Sequence, residues 1–299
     1  MPVIVECVPN FSEGRRKEIV DEIVGAIASV KGTKVLDVEM DPDHNRSVVT
    51  FAGSRDAVQE GAFRGAKAAS ELIDLNKHKG QHPRMGALDV LPFVPISGVT
   101  LADCVDIANE VGARIAQELK IPVYLYEAAA RRPERKNLEN VRRGEFEGLR
   151  ESILTDESKS PDYGPKTLHK TAGAAAVGAR MPLIAFNVNL NTNDIGVAKA
   201  IAKKIRASNG GLPHVKALGF MLEHRGIAQV SMNLTDYTVT PISRVYDAVK
   251  KEAEAAGVEI AEGEVIGLIP LDAVCEVASR HLNIDTFTSN QVLERRIWD

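Results

Sequence analysis

Residues 78–90 read HKGQHPRMGALDV and lie between a long helical pattern and a strand. Gly80, Pro83 and Gly86 each disfavour a helix, so the chain around them is predicted to form a loop. The proline after His82 biases the backbone of His82 towards the extended region and fixes the direction in which its ring leaves the chain. The stretch therefore places one constrained histidine between a helix and a sheet.

His82 is a candidate general acid and base, because imidazole has an unperturbed pKa of about 6.5 and exchanges protons near neutral pH. The alternative is that His82 only packs or caps, since histidines are common in loops. Glu39 and Asp89 flank the same region of the predicted sheet, and a carboxylate beside the imidazole would orient it and stabilise its charged form. Acidic residues are also routine at strand ends, so both interpretations stay open at this point.

Outward from this loop, apolar residues recur at helical or strand spacing on both sides. We predict strands over residues 3–8, 33–40, 47–52, 89–96 and 123–126, and helices over residues 16–30, 55–75 and 103–119. The segment DPDHN at residues 41–45 is rich in residues that favour turns, and it predicts a hairpin. The first half therefore has the order β-α-β-β-α-β with an added α-β unit, which is the ferredoxin-like split arrangement.

Residues 131–180 lack sustained periodicity, and a segment of that length is usually functional or interdomain. We place the connection between domains here. Within it, residues 173–179 read GAAAVGA, which either lets a flat ring or a backbone approach closely or begins a tightly packed helix. We expect a first domain over residues 1–180, including the connecting segment, and a second over residues 181–299.

The second half repeats the order of the first. We predict strands over residues 183–190, 215–222, 227–234 and 264–269, and helices over residues 194–205 and 241–256. Glu223, His224 and Arg225 fall at a hairpin turn where the segment from Asp43 to Arg46 falls about 180 residues earlier. The repeat predicts an α/β fold of two similar ferredoxin-like subdomains, packed side by side around a cleft that suits a ligand.

Composition and charge narrow the class of protein. The 299 residues are 44% hydrophobic and 26% charged, as in ordinary globular proteins. The net charge is -4 and the basic residues are scattered, so we expect no nucleic-acid partner. No apolar run approaches about 18 residues and no charged-then-apolar leader opens the chain, so we expect no membrane partner and a cytoplasmic location. Three widely separated cysteines fit a reducing compartment.

Signatures of several enzyme classes are absent from the sequence. It contains no GxxxxGK[ST], no GxGxxG after a strand, no HExxH and no GxSxG. His78 and His82 are four residues apart, but Gly80 breaks any helix that would align them, so we expect no zinc site. Asp41 and Asp43 suit a cation, yet Asp-Pro-Asp is more often a turn. We expect no metal.

Several cations instead suit an acidic small molecule. They are Arg46, Arg84, Arg225, Lys166, Lys170 and Arg180. Arginine binds a carboxylate with two parallel hydrogen bonds. Each of these residues is otherwise a solvated surface charge.

Motifs along essentially the whole chain resemble the formiminotransferase family, whose members are folate enzymes fused to a cyclodeaminase in animals. The matching motifs are VPNFSEG at 8–14, LDV at 36–38, NR at 45–46, HKG at 78–80, HPRMGALDV at 82–90, PVYLY at 122–126, PDYGP at 161–165, GAR at 178–180 and AQVS at 228–231. The run at 82–90 is long and specific. It is the motif that carries His82 and Asp89.

The resemblance implies transfer of a formimino group from N-formimino-L-glutamate to N5 of tetrahydrofolate, a co-substrate, in a homodimer that serves histidine degradation and one-carbon metabolism. It implies that His82 is the catalytic acid and base, and we expect Glu39 and Asp89 to assist it. We expect Asn10, Arg46, Arg84 and Arg225 to bind substrate. The folate segment of the family corresponds to Tyr163, Gly164, Pro165, Lys166, Thr167, Leu168, His169, Lys170, Thr171 and Ala172. Because no cyclodeaminase follows residue 299, we expect a monofunctional transferase.

The residues agree with such chemistry. One group must move a proton from the attacking nitrogen to the leaving nitrogen, which a single histidine can do. No nucleophile is required, and Cys7, Cys104 and Cys275 have no activating neighbours. Two alternatives stay open. One keeps the family but uses a formyl donor or glycine, and the other is a folate-binding protein without turnover.

Overall fold

The computed structural model describes residues 2–223 and 225–298. His224, which the sequence places in the second hairpin turn, lies outside the described residues. The chain divides into two compact units, Met1–Arg180 and Met181–Asp299. Each unit has its own sheet and its own hydrophobic core.

The first unit contains the following elements. Its strands are β1 (Ile4–Cys7), β2 (Asn10–Phe11), β3 (Thr33–Asp41), β4 (Arg46–Gly53), β5 (Leu88–Ser97), β6 (Val123–Glu127) and β7 (Ala175–Ala179). Its helices are α1 (Lys17–Ala28), α2 (Arg55–Leu72), α3 (Leu101–Leu119), α4 (Leu138–Val141) and α5 (Glu145–Thr155).

The strand order of the first sheet is ferredoxin-like with an extension. β3 pairs with β4, and both β1 and β2 lie antiparallel between β4 and β5. This is the order expected of a split β-α-β-β-α-β unit. Beyond β5 the sheet continues through β7 to β6, and both of these pairings are parallel. The added strands extend the sheet on the side of β5, the strand that contains Asp89.

Helices α1, α2 and α3 cover one face of this sheet, and the other face is covered in part. Alternate strand residues such as Phe51 and Leu91 pack with Ile27 of α1, Val58 of α2 and Ile107 of α3 in one core. On the other face, Val90, Tyr126 and Ala176 pack with Val141, Leu149 and Ile153. Helices α4 and α5 therefore form a second layer over β5, β7 and β6.

The segment over residues 131–180, where we expected the connection between domains, is thus part of the first unit. Val141, Phe146, Leu149 and Ile153 are all buried, so the segment contributes core rather than a linker. Residues 175–179 form the buried strand β7, so the interpretation of this stretch as a helix start is wrong. Its side chains are small because β7 lies between two neighbours and under two layers.

The second unit repeats the ferredoxin-like order, which confirms that part of the fold prediction. Its strands are β8 (Ile184–Leu190), β9 (Val215–Leu222), β10 (Ile227–Leu234) and β11 (Ile260–Ile266), and its helices are α6 (Ile195–Ile205), α7 (Ile242–Ala255), α8 (Leu271–Leu282) and α9 (Leu293–Trp298). The sheet order is β11-β8-β10-β9. The last strand begins four residues earlier than the predicted start at 264, because acidic residues and a glycine obscure its alternation. None of the described helices is long and apolar enough to cross a membrane.

Candidate active site

The loop that carries His82 is fixed at one end to the turn between β3 and β4. Asn45 takes a left-handed backbone conformation, with φ of 51°, and its Nδ2 donates to the carbonyl of Lys79 at 3.0 Å. A Cβ on Gly80 would lie 2.2 Å from the carbonyl oxygen of His44, so only glycine allows this approach. The His82 loop is therefore held against the hairpin by its backbone.

The same loop is fixed at its other end to residues 171–173. The amide of Leu75 donates to the carbonyl of Thr171, and the amide of Ala87 to that of Ala172, both at 2.9 Å. Gly86 and Gly173 form an antiparallel bridge. The folate segment expected from the sequence therefore ends on the backbone that anchors the His82 loop.

His82 lies among charged groups. Its Nε2 is 3.4 Å from Nη1 of Arg46 and 4.0 Å from Oδ2 of Asp89. Because a guanidinium can only donate, Nε2 is an acceptor and the neutral ring carries its proton on Nδ1. The ring of His44 lies edge-on to that of His82, with 6.2 Å between centroids. The structure thus places Asp89 beside His82, as the sequence predicted, and brings Arg46 of the first hairpin to the same ring.

This environment keeps His82 neutral. Burial, with the guanidiniums of Arg46 and Arg142 and the nearby His44, lowers the pKa of His82 from 6.5 to about 3, and Asp41 only partly opposes this. The imidazolium form is consequently more acidic than usual, and the neutral ring is a correspondingly weaker base. A proton that His82 takes from one group is readily passed to another.

Asp89 is almost fully buried, with 1% of its side chain exposed. Its Oδ1 accepts from the amide of Met85 at 2.9 Å, and its Oδ2 accepts from Nη2 of Arg142. Arg142 follows α4, and sequence reasoning missed it. The one signal available was the Arg142-Arg143 pair inside the segment without periodicity.

The other residues proposed to assist or bind lie in different surroundings. Glu39 is half-buried on β3, where burial and Asp37 raise its pKa and the charge of Arg46 opposes the rise. Asn10 lies in β2 and donates from Nδ2 to the carbonyl of Val8 at 3.1 Å. Arg225, in the second unit, pairs with Glu262.

Arg84 is directed towards α5. Its Nη1 and Nη2 donate to the carboxylate of Glu147 at 2.7 Å, and Nη1 also donates to Glu145 at 3.2 Å. Its Nε donates to Nδ1 of His78 at 3.2 Å, so His78 presents Nε2–H to the carbonyl of Asn45 at 2.8 Å. Substrate binding by Arg84, Asn10 and Arg225 stays a prediction.

The expected folate segment follows the first unit's surface from α3 to the His82 loop. Tyr163 donates to Asn109 at 2.9 Å, and the guanidinium of Arg131 stacks 4.4 Å from the centre of its ring. A pocket of about 430 Å³ lies at the other end of the segment. Its lining residues are Thr167, Leu168, His169 and Lys170, together with Asn76, Arg150 and Leu154. Its volume is in the range of small-molecule sites.

The structure also shows the surroundings of the potential metal ligands and of the cysteines. Among residues 2–223 and 225–298, no group of three or more His, Cys, Asp or Glu side chains is arranged to hold a metal ion. All three cysteines are buried thiols, and burial raises the pKa of Cys104 to about 12. A thiol with such a pKa is a poor nucleophile.

Comparison with known proteins matches both units. The family model described as "Formiminotransferase domain, N-terminal subdomain" matches residues 4–180, and the one described as "Formiminotransferase domain" matches residues 185–294. The chain is 50% identical over 298 residues to glutamate formimidoyltransferase of Streptococcus pyogenes serotype M1, covering 99% of each chain. It is 49% identical over 296 residues to the glutamate formimidoyltransferase of Thermoplasma acidophilum, covering 98% of this chain and 97% of the other. It is 44% identical over 286 residues to formimidoyltransferase-cyclodeaminase of Rattus norvegicus, covering 93% of this chain and 52% of the other.

Proposed function

Because this chain belongs to the formiminotransferase family, we propose that it transfers the formimino group of N-formimino-L-glutamate to N5 of tetrahydrofolate. The products are 5-formiminotetrahydrofolate and L-glutamate. The observation that carries the proposal is the neutral His82 held 3.4 Å from Arg46 and 4.0 Å from the buried Asp89. Such a group can move a proton within one reaction cycle.

His82 serves both halves of the transfer. The secondary amine N5 attacks the amidine carbon, and His82 removes the proton that the new ammonium carries. The imidazolium then donates this proton to the glutamate nitrogen as its bond to carbon breaks. Asp89, near Nε2, stabilises the imidazolium between the two steps, and Arg142 keeps the carboxylate of Asp89 in place. Glu39 favours the cationic amidine.

Residues 163–172 bind the folate co-substrate in this proposal. The support is the pocket of about 430 Å³ that Thr167, Leu168, His169 and Lys170 line, with Arg150 beside them. Two cations at one pocket suit an acidic tail such as the glutamate of folate. The backbone link between this segment and the His82 loop would hold the two substrates' sites in register.

Two further expectations belong to this proposal. The catalytic residues belong to the domain over residues 1–180, and the domain over residues 181–299 completes the transferase. The homodimer and the cytoplasmic location stay predictions. Light scattering of the purified chain tests the first, and localisation of the tagged full chain tests the second.

The test is transfer of the formimino group to tetrahydrofolate, followed by ultraviolet absorbance. We expect turnover with N-formimino-L-glutamate and much slower turnover with N-formyl-L-glutamate or N-formiminoglycine. The relatives named glutamate formimidoyltransferase support the first donor. Tetrahydrofolate binding without turnover of any of the three donors would contradict the proposal and favour a folate-binding protein.

A further inference from the structure

Two guanidiniums lie beside His82 with one buried carboxylate between them. Arg46 lies 3.4 Å from Nε2 of His82, and Arg142 binds Asp89, which is 4.0 Å from the same nitrogen. The two arginines are near enough that the charge of Arg142, after burial, helps to lower the pKa of Arg46. Like charges so close are unfavourable, and of the two arginines only Arg142 is hydrogen-bonded to the buried carboxylate of Asp89, so a second anion would stabilise the pair.

Both arginines also keep a donor without a partner. The Nε atoms of Arg46 and Arg142 are buried and have no hydrogen-bond acceptor within residues 2–223 and 225–298. A buried N–H without an acceptor is destabilising, and more so in a charged group, because it has lost its hydrogen bond to water without a replacement. Such orphaned donors in native proteins call for an explanation, and a ligand is one.

Nearby carboxylates do not supply the acceptor. Asp41 is bound to Nδ1 of His44 at 2.6 Å. Glu39 interacts with Arg46 only through space, and neither acid makes a hydrogen bond to Arg46 or Arg142 in the part of the chain that the structure describes. Asp89 receives its bond from Nη2 of Arg142, which leaves Nε unused.

We propose that Arg142 and Arg46 together bind the α-carboxylate of the amino-acid donor and thereby determine which compounds reach His82. The inference rests on the proposed function and names a residue, Arg142, that the sequence did not indicate. The α-carboxylate is the group concerned because it is attached to the carbon that bears the reacting nitrogen. A donor whose nitrogen lies at His82 therefore has this carboxylate within reach of the two guanidiniums.

Binding of this carboxylate also prepares His82 for its task. The groups that face His82 are Arg46, Arg142, His44, Asp41 and Asp89. Burial is the largest cause of the low pKa of His82 and the two guanidiniums add to it, so an anion between them removes the part that they contribute. His82 consequently becomes a stronger base only when the donor is present.

Binding of product and product fragments to the full chain, measured by calorimetry, tests the site without turnover. The probes are L-glutamate and 4-aminobutyrate, which lacks the α-carboxylate. We expect Arg142→Gln to weaken L-glutamate binding about 10- to 100-fold, the loss typical of a charge-assisted pair. Arg142→Lys keeps a positive charge beside Asp89, so we expect it to weaken L-glutamate binding only about 3- to 10-fold. Binding of 4-aminobutyrate should be equally weak in all of these proteins.

The matched control is Arg143→Gln, an exposed neighbour that binds Asn140 at 3.0 Å and has no part in the site. Its L-glutamate affinity should stay within twofold of wild type. If Arg142→Gln does not fold, Arg142→Lys carries the test. The inference is overturned if the folded Arg142 variants bind L-glutamate within twofold of wild type, because a residue that only supports Asp89 would leave affinity unchanged.

A second readout separates this inference from the proposed function. In an NMR titration of the His82 ring, saturating L-glutamate should raise the pKa of His82 in wild type and have little effect in Arg142→Gln. Kinetically, Arg142→Gln should raise KM for the donor and leave KM for tetrahydrofolate within twofold. Arg142-dependent glutamate binding without any turnover would retain the carboxylate site and reject the transfer reaction. Turnover without Arg142-dependent glutamate binding would retain the transfer reaction and reject the carboxylate site.

Discussion

The two units have hairpin turns of the same length but different surroundings. Residues 42–45 connect β3 to β4, and residues 223–226 connect β9 to β10. The last turn residue is left-handed in both, with φ of 51° for Asn45 and 64° for Gly226. Asn45 is buried and accepts from the amide of Gly14 at 2.9 Å as well as donating to Lys79. No described atom lies within 4 Å of a Cβ built on Gly226.

The arginines near the two turns differ in the same way. Arg46 begins β4 and keeps a buried Nε beside His82. Arg225 lies in the second turn with 43% of its side chain exposed, paired with Glu262. A repeated topology thus sets where a hairpin lies, while the added layer of β7, β6, α4 and α5 in the first unit places Arg142 against the buried Asp89 of the proposed site.

The largest effect is expected at His82. His82→Gln should lower kcat for formimino transfer about 100- to 10,000-fold, because that is the typical contribution of a side chain that transfers a proton in the transition state. Tetrahydrofolate affinity should be unchanged. His281→Gln, at the end of α8 in the second unit, is the control and should retain wild-type kcat. A His82→Gln protein with more than a tenth of wild-type kcat would refute the acid/base assignment.

Exchanging the two left-handed turn residues tests the hairpin comparison directly. Asn45→Gly keeps the backbone conformation but removes two side-chain hydrogen bonds, so we expect a loss of about 2 kcal/mol in the free energy of unfolding. Gly226→Asn should change it by less than about 1 kcal/mol, because asparagine tolerates this conformation and the site is open. Urea denaturation of the full chain measures both. Equal losses would show that the two turns are equivalent.

A smaller effect separates the two arginines. Arg46→Gln should raise KM for the donor about 10-fold or more, and its effect should exceed that of Arg225→Gln at least fivefold, because an exposed pair contributes little. Steady-state kinetics at constant tetrahydrofolate measure both values. If Arg225→Gln raises KM as much as Arg46→Gln, Arg225 binds substrate as the sequence predicted, and both hairpins contribute to substrate binding.

The pH dependence of stability gives the smallest effect. The pKa of His82 is about 3 in the folded protein and 6.5 ordinarily, so the unfolded chain takes up a proton first as the pH falls. His82 therefore lowers the free energy of unfolding progressively between about pH 6.5 and 3, and contributes nothing above that range. In His82→Gln the free energy of unfolding should fall less steeply between pH 6 and pH 4, by up to about 1.4 kcal/mol per pH unit. If the free energy of unfolding, measured with urea, has the same pH dependence in both proteins, the pKa of His82 is not lowered in the folded state.

Much of the fold followed from local pattern. The bounds of β9 and β10 agree with the predicted residues 215–222 and 227–234, because their apolar residues alternate and a polar turn separates them. Strand β7 was missed, since a run of small residues buried on both faces has no alternation to read. Helix α5 was missed because charged residues surround its three buried positions.

The site was predictable only in part. His82 and Asp89 lie in one conspicuous motif, and Arg46 begins a strand beside a turn, so sequence alone singled them out. Arg142 resembles Arg143 in sequence, and its importance comes from a contact with Asp89, 53 positions away. Neither spacing nor composition encodes such a contact, because it depends on how α4 packs over β5.

The anchoring of the His82 loop on Thr171 and Ala172 also orders events during synthesis. Ala172 is 90 positions after His82, since 172 minus 82 is 90. At about 5–20 residues per second, the ribosome needs roughly 5 to 20 seconds to make that stretch. During this interval the growing chain can already form its first hairpin and helices, but the far anchors of the loop do not yet exist. His82, the proposed catalytic residue, is thus fixed in position late, only once the proposed folate segment has been made.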